Sequence, residues 1–182
     1  MQFRVTHREP LVKTAKAQRY CGPAALSALS GYSAECMAAW INYRRDVPLY
    51  YQTGGVSSYE AEYAASKVGI CMVEEGPFRE WTVNQLRKAL AGGGSHQRLW
   101  SQPLLVTAHH HYFAVYCGMV VDSGACAGSE PIPIREYKKG RAKVTRVQRV
   151  VRQGKLKKRE PMPWDVSLRT KAQMLKPERQ TW

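Results

Sequence analysis

The sequence has no apolar run long enough to cross a membrane, no paired-cysteine motif, no phosphate-binding loop and no internal repeat. Each absence removes a class of function. A spanning helix needs roughly 18 or more consecutive apolar residues. The opening stretch, MQFRVTHREPLVKTAK, lacks the apolar core of a secretory signal, so neither a membrane span nor a cleaved export signal is expected. The five cysteines (Cys21, Cys36, Cys71, Cys117, Cys126) show no C-x-x-C spacing. Their odd number and spacing argue against a disulfide framework and against a zinc knuckle, and imply a reducing, cytoplasmic setting with free thiols. No G-x-x-x-x-G-K-[ST] occurs, and Gly92 to Gly94 follow a helical run with no Lys-Ser behind them. Phosphate chemistry therefore has no support, and no cofactor or metal is implied.

Acidic residues are also scarce. Lys and Arg number 28 against 14 Asp and Glu, a formal net charge of +14. The imbalance is local: residues 1–134 carry 12 basic and 10 acidic residues, whereas residues 135–182 carry 16 and 4. A near-neutral body over 1–134 is followed by a strongly basic strand or extension over 135–182. Such a segment suggests an anionic partner, either nucleic acid or an acidic protein surface, with Trp164 and Trp182 available for stacking. The bland counterpart is a solvated, self-repelling extension.

What is present is globular composition, 44% hydrophobic and 23% charged over 182 residues, enough for one domain and an appendage. Helical signals dominate the first half. QRYCGPAALSALSG reads as a loop entering a small-residue helix, with Pro23 tolerated in its first turn and Gly31 placed to stop it. Ser33 to about Arg44 reads as a second helix, with Met37, Trp40 and Ile41 as its buried stripe. Ser57/Glu60 and Thr82/Gln85 have capping-box spacing and open two more helices. The period then shortens. PLLVT, HYFAVY and MVVD read as strands, the last two joined by a Cys-Gly turn. Val144 to Arg152 alternates valine with arginine in a way that suits a strand or an amphipathic helix. Helices followed by antiparallel strands indicate an α+β domain.

Cys21 stands apart from the other cysteines, which read as small buried thiols. It falls at a helix N-terminus, where the dipole and unpaired N–H groups favour the nucleophilic thiolate. Gly22 beside it leaves room for a substrate backbone. Gln18 can aim an amide N–H at the same point, as an oxyanion hole needs. A thiol nucleophile requires a base. His7 and His96 read as solvated, which leaves His109, His110 and His111. His111 directly precedes HYFAVY's apolar core and so would stand on a rigid strand. Asp122, at the end of the returning strand, could hold the imidazole in one tautomer. Tyr50, Tyr51 and Tyr59 either line a cleft or serve as packing.

The assembly QRYCGPAALSAL, TGGVSSYEAEYAASKVGI, TVNQLRKAL and PLLVTAHHHYFAVYCGMVVDSG resembles papain-like cysteine peptidases, and among them the bacteriocin-processing peptidase domains of ABC transporters and their free-standing relatives. The resemblance spans about residues 15–125. It implies a papain-like α+β fold, with N-terminal helices packed on a small antiparallel sheet. It further implies a peptide or isopeptide substrate, Cys21 as nucleophile, His111 as base, Asp122 as its orienting carboxylate and Gln18 in the oxyanion hole. Two positions depart from the pattern: Ser123 stands where Pro usually follows the Asp, and His110 replaces a small residue. The second leaves His109, His110 and His111 as alternative bases. Basic, peptidase-like proteins also occur in phage genomes, which adds the expectation of a virion component: a scaffold without turnover, anchored by its basic tail to nucleic acid or an assembly. Hydrolysis and transamidation stay open, because water and an amine enter the same acyl-enzyme.

Overall fold

A computed structural model of the chain describes residue 3 and residues 20–49, 53–123, 130–154 and 161–163. Its elements are four helices and six strands: α1 (Cys21–Ser30), α2 (Ala34–Arg44), α3 (Ser58–Lys67), β1 (Ile70–Glu75), α4 (Val83–Ala91), β2 (Leu104–Ala108), β3 (His111–Tyr116), β4 (Met119–Val121), β5 (Ile132–Pro133) and β6 (Val144–Arg152). The strands form one sheet in the order β1-β6-β2-β3-β4-β5. Each neighbouring pair is antiparallel. This is the α+β arrangement expected, with helices on an antiparallel sheet.

The local signals operate as physical chemistry requires. Ser33 caps α2 by accepting from the Cys36 N–H, and both capping boxes, Ser57/Glu60 and Thr82/Gln85, are complete. Gly31 ends α1 in the left-handed region at φ 79°, its N–H donating to Ser27 O. All ten residues of α1 are buried. They lie in one core cluster with α2, α3 and the sheet side chains Leu105, Tyr112, Ala114 and Val150. The opposite sheet face, with Leu104, Val106, Phe113 and Val115, packs on Leu86 and Leu90 of α4. The molecule is thus three-layered, and α4 does not join the first three helices.

Two elements depart from the expectation of helices first and strands after. β1 sits between α3 and α4 in the chain, yet in ICMVEE four apolar residues run together and end in two glutamates, without the alternation that announces a strand. It is an edge strand whose outer half is the acidic pair Glu74 and Glu75, and such charges suit an unpaired edge. β6 lies between β1 and β2, in the interior of the sheet. The change in charge at residue 135 therefore does not coincide with an edge of the fold. The ambiguous valine spacing also has a cause. Thr107 pairs with Arg146 and Ala108 with Val144, so Thr145 bulges out. The extra residue brings Val144 and Val147, three apart, onto the same face and mimics a helical period.

The arginines interleaved in β6 are matched by acids of the body. Arg146 pairs with Glu62 at 2.9 Å and Glu74 at 2.8 Å, and Arg149 with Glu75 at 2.7 Å. Buried Gln148 donates to Glu62 at 2.8 Å. Farther on, residues 161–163 return to α2, where the Pro161 carbonyl accepts from Trp40 Nε1 at 2.5 Å, and the rest of the tail beyond residue 154, including Trp164 and Trp182, falls outside the described residues.

Two tight hairpins set the register of the site. His109 and His110 join β2 to β3 with φ of 47° and 60°, and Cys117 and Gly118 join β3 to β4 with φ of 47° and 74°. Positive φ at both central residues matches the twist of the flanking strands. At Gly118 the demand is doubled, since a Cβ there would penetrate the Trp100 indole. Gly118→Ala is expected to cost about 2 kcal/mol of stability through backbone strain and overpacking together, read as a lowered urea midpoint at unchanged slope.

Candidate active site

β3 and β4 bring His111 and Asp122 together by register. Ala114 faces Val121 and Tyr116 faces Met119. Continued by one step, Asp122 falls opposite Phe113, diagonal to His111 and on the same side of the sheet, within reach of a long side chain. His111 Nε2 lies 2.6 Å from Asp122 Oδ1. The carboxylate is fully buried, whereas 24% of the His111 side chain is exposed. Asp122 accepts two more donors, the Tyr137 hydroxyl at 2.6 Å and Lys139 Nζ at 3.2 Å.

Cys21 arrives from the other layer. It is the first residue of α1 and belongs to the core cluster of α1–α3, whereas Phe113 and Tyr137 belong to that of α4. The two layers meet at the rim of the sheet, where the Cys21 sulfur comes under the influence of the His111 side chain and the Tyr112 backbone. Nε2 of His111 is committed to Asp122, so Nδ1 is the nitrogen left for sulfur.

The electrostatics follow from these contacts. Burial pushes the Cys21 thiol up and is the largest single influence. The hydrogen bond with His111, that from Tyr112 and the positive imidazole together overcome it, leaving the thiol below its ordinary value. For His111, burial acts downward and is again largest. The bonds and charges of Asp122 and Cys21 outweigh it and raise the imidazole to about 9. The two shifts run in the direction that favours thiolate beside imidazolium, the state in which a cysteine is a nucleophile with a proton donor beside it.

Of the predicted site residues, the fold unites Cys21, His111 and Asp122. Gln18 lies outside the described residues. His109 and His110 form the exposed β2–β3 turn, and neither lies between Cys21 and Asp122 as His111 does. Gly22 has a different use from the one expected. A Cβ there would come within 2.8 Å of Val56, so the loop before α3 already fills the space beside it. His96 is not simply solvated but packs edge-on against Phe78, ring centroids 4.8 Å apart. Cys36 is buried as expected, Cys71 partly so, and Cys117 is exposed in its turn; Cys126, His7, Tyr50 and Tyr51 lie outside the described residues, and Tyr59 is exposed on α3. Among the described residues no cluster of three His, Cys, Asp or Glu side chains could hold a metal, and no helix is long and apolar enough to span a membrane.

Sequence reasoning missed Tyr137 and Lys139. They follow a single 3-10 turn, Ile134–Glu136, and look like the start of a basic tail. Only the packing of Tyr137 on Phe113, ring centroids 5.0 Å apart, turns that segment back onto Asp122.

Two of the solved structures found to be similar are a peptidase domain and a protease. That of Streptococcus ComA, a bi-functional ABC transporter involved in a quorum-sensing pathway, is 14% identical, with a TM-score of 0.46 over 85% of this chain and 100% of that one. A double glycine motif protease from an AMS/PCAT transporter, solved in complex with the leader peptide, is 18% identical, with a TM-score of 0.38 over 81% of this chain and 96% of that one. No protein-family description and no curated protein matches the chain.

Two outcomes test this electrostatic arrangement. The inflection in the rate of Cys21 alkylation by iodoacetamide should lie below that of an ordinary thiol. In His111→Ala burial and the Asp122 charge are opposed by the Tyr112 backbone alone, so the inflection should move up. Tyr137→Phe deprives a buried carboxylate of a charge-assisted donor and should lower stability by about 1.5–3 kcal/mol, measured by urea unfolding.

Proposed function

We propose that the chain is a papain-like cysteine peptidase acting on peptide or isopeptide bonds. The observation that carries this reading is the convergence of Cys21, at the start of α1, with His111, whose Nε2 lies 2.6 Å from buried Asp122 Oδ1 and whose imidazole holds the thiol below its ordinary value. In this reading Cys21 is the nucleophile, His111 the acid and base, and Asp122 the residue that holds the imidazole.

The Cys21 thiolate attacks the scissile carbonyl, forming the C–S bond and placing charge on the carbonyl oxygen. The backbone N–H of Cys21 and the Gln18 amide would receive that charge; one such donor is worth on the order of 3 kcal/mol. Collapse breaks the C–N bond as imidazolium His111 hands its proton to the departing amine. Neutral His111 then takes a proton from water, whose oxygen displaces the sulfur and restores the thiolate. Asp122 need not change protonation. It holds the ring and offsets the charge of the imidazolium, while Tyr137 and Lys139 hold Asp122. The working body includes β6, because that strand completes the sheet beside β2.

The pH dependence has a definite sign. Activity falls in acid as the depressed Cys21 thiol protonates, and falls again in alkali as His111 passes about 9 and loses the proton it must donate. A bell-shaped kcat/KM profile is expected, and Asp122→Asn should move its alkaline limb downward because the opposing charge is gone.

The direct test is hydrolysis of a mixed peptide library, read as new N-termini by mass spectrometry, beside labelling by a peptidyl vinyl sulfone. Cys21→Ala should abolish both, with turnover down at least about 10³-fold. Cys36→Ala, Cys71→Ala and Cys117→Ala should retain both. Cleavage or labelling indifferent to Cys21 ends the proposal.

A further inference from the structure

A pocket of about 750 Å³ opens directly beside His111, on the side of the α4 layer. Its wall carries Arg87 from α4, His109 from the hairpin turn, and Arg135, Lys138 and Arg141 from the segment between β5 and β6. Among the described residues no aspartate or glutamate lines it. This contrasts with β6, where Arg146 and Arg149 each meet a carboxylate of the body. Lys139, also in the wall, is committed to Asp122. Arg135 has only its neighbour Glu136 at 3.6 Å, both side chains being largely in solvent, and an exposed pair of this kind counts for little.

These like charges are held together by the backbone rather than left to spread. The first N–H groups of α4 bind the segment: Val83 donates to Ala142 O at 3.0 Å and Asn84 to Gly140 O at 2.9 Å. Gly140 lies so close to the Asn84 amide that any side chain there would collide with it. The segment is thus pinned to the helix with its cations facing one cavity. Mutual repulsion in such a cluster is relieved by an anionic occupant, and low-dielectric walls focus the field that attracts one.

We propose that this pocket binds an acidic segment of the peptide substrate, seating carboxylate side chains next to the scissile bond on the His111 side of Cys21. The inference rests on the peptidase reading for the identity of the occupant. A peptide chain running from the pocket to the sulfur passes His111, and a carbonyl is what the thiolate can attack. A nucleic acid would offer the pocket phosphates but would bring no acyl group to the nucleophile.

The test uses the full chain with Cys21→Ser, so that binding is read without turnover. The probe is a fluorescein-labelled peptide carrying four consecutive glutamates, compared with the same peptide carrying glutamines. At low salt the glutamate peptide should bind at least about tenfold more tightly, the sum expected of several partly exposed ion pairs, and the preference should fade at high salt. Lys138→Glu combined with Arg141→Glu should erase it. In the otherwise unaltered chain the glutamate peptide should slow alkylation of Cys21 by iodoacetamide. Equal affinity for the two peptides overturns the proposal, as does a preference that survives the charge reversal or binding that leaves Cys21 unprotected. A thymidine oligonucleotide that displaces the peptide, with the same dependence on Lys138 and Arg141, would make the pocket a nucleic-acid surface and overturn it too. Binding as expected in a protein whose Cys21 proves inert to the vinyl sulfone overturns the peptidase reading alone.

Discussion

The lowered thiol of Cys21 and the raised imidazole of His111 depend on how a buried carboxylate is kept satisfied. Asp122 has no exposed surface, and an unpartnered carboxylate in that position would cost several kcal/mol. Its oxygens accept from His111, the Tyr137 hydroxyl and Lys139, so the desolvation is offset by three donors from two separate stretches of chain. That arrangement makes it possible for the neighbouring imidazole to keep its proton despite burial. The proton in turn holds the thiol below its ordinary range although burial acts against it.

The fold is organised to bring these groups to one place. α1 with its sulfur belongs to the layer on one side of the sheet, and Asp122 with Tyr137 to the other. His111, first residue of β3, is where the layers touch. Two-residue turns at His109-His110 and Cys117-Gly118 leave no slack on either side of β3. A one-residue slip would turn Asp122 to the wrong side of its strand. Bulk packing of α1 resists movement of the sulfur, since every residue of that helix is buried.

The charge distribution takes on a different meaning in three dimensions. A basic block after residue 134 suggests a tail seeking an anionic partner. Through residue 152 much of that charge is spent inside the molecule: Arg146 and Arg149 close β6 against the acidic edge of β1, and Lys139 supports Asp122. Arg135, Lys138 and Arg141 of this stretch gather instead around the cavity beside His111. Position, rather than net charge, identifies the cations available to a ligand.

The sequence by itself determined the features that rest on neighbours in the chain. The capped starts of α2, α3 and α4, the glycine stop of α1, the β3–β4 hairpin and the placement of Cys21 at a helix start all follow from contacts within a few residues. His111 and Asp122 were legible for the same reason, because one tight turn fixes their register. β1 was not legible, since its apolar residues run together and end in glutamates, without alternation. Nor was β6, whose bulge at Thr145 disguises its period. Tyr137 and Lys139 were hidden for a further reason: a donor to a buried carboxylate is defined by where the carboxylate lies, and nothing in its own neighbourhood records that. Only tertiary packing, which lays two helical layers against opposite faces of one sheet, decided which groups meet at its rim.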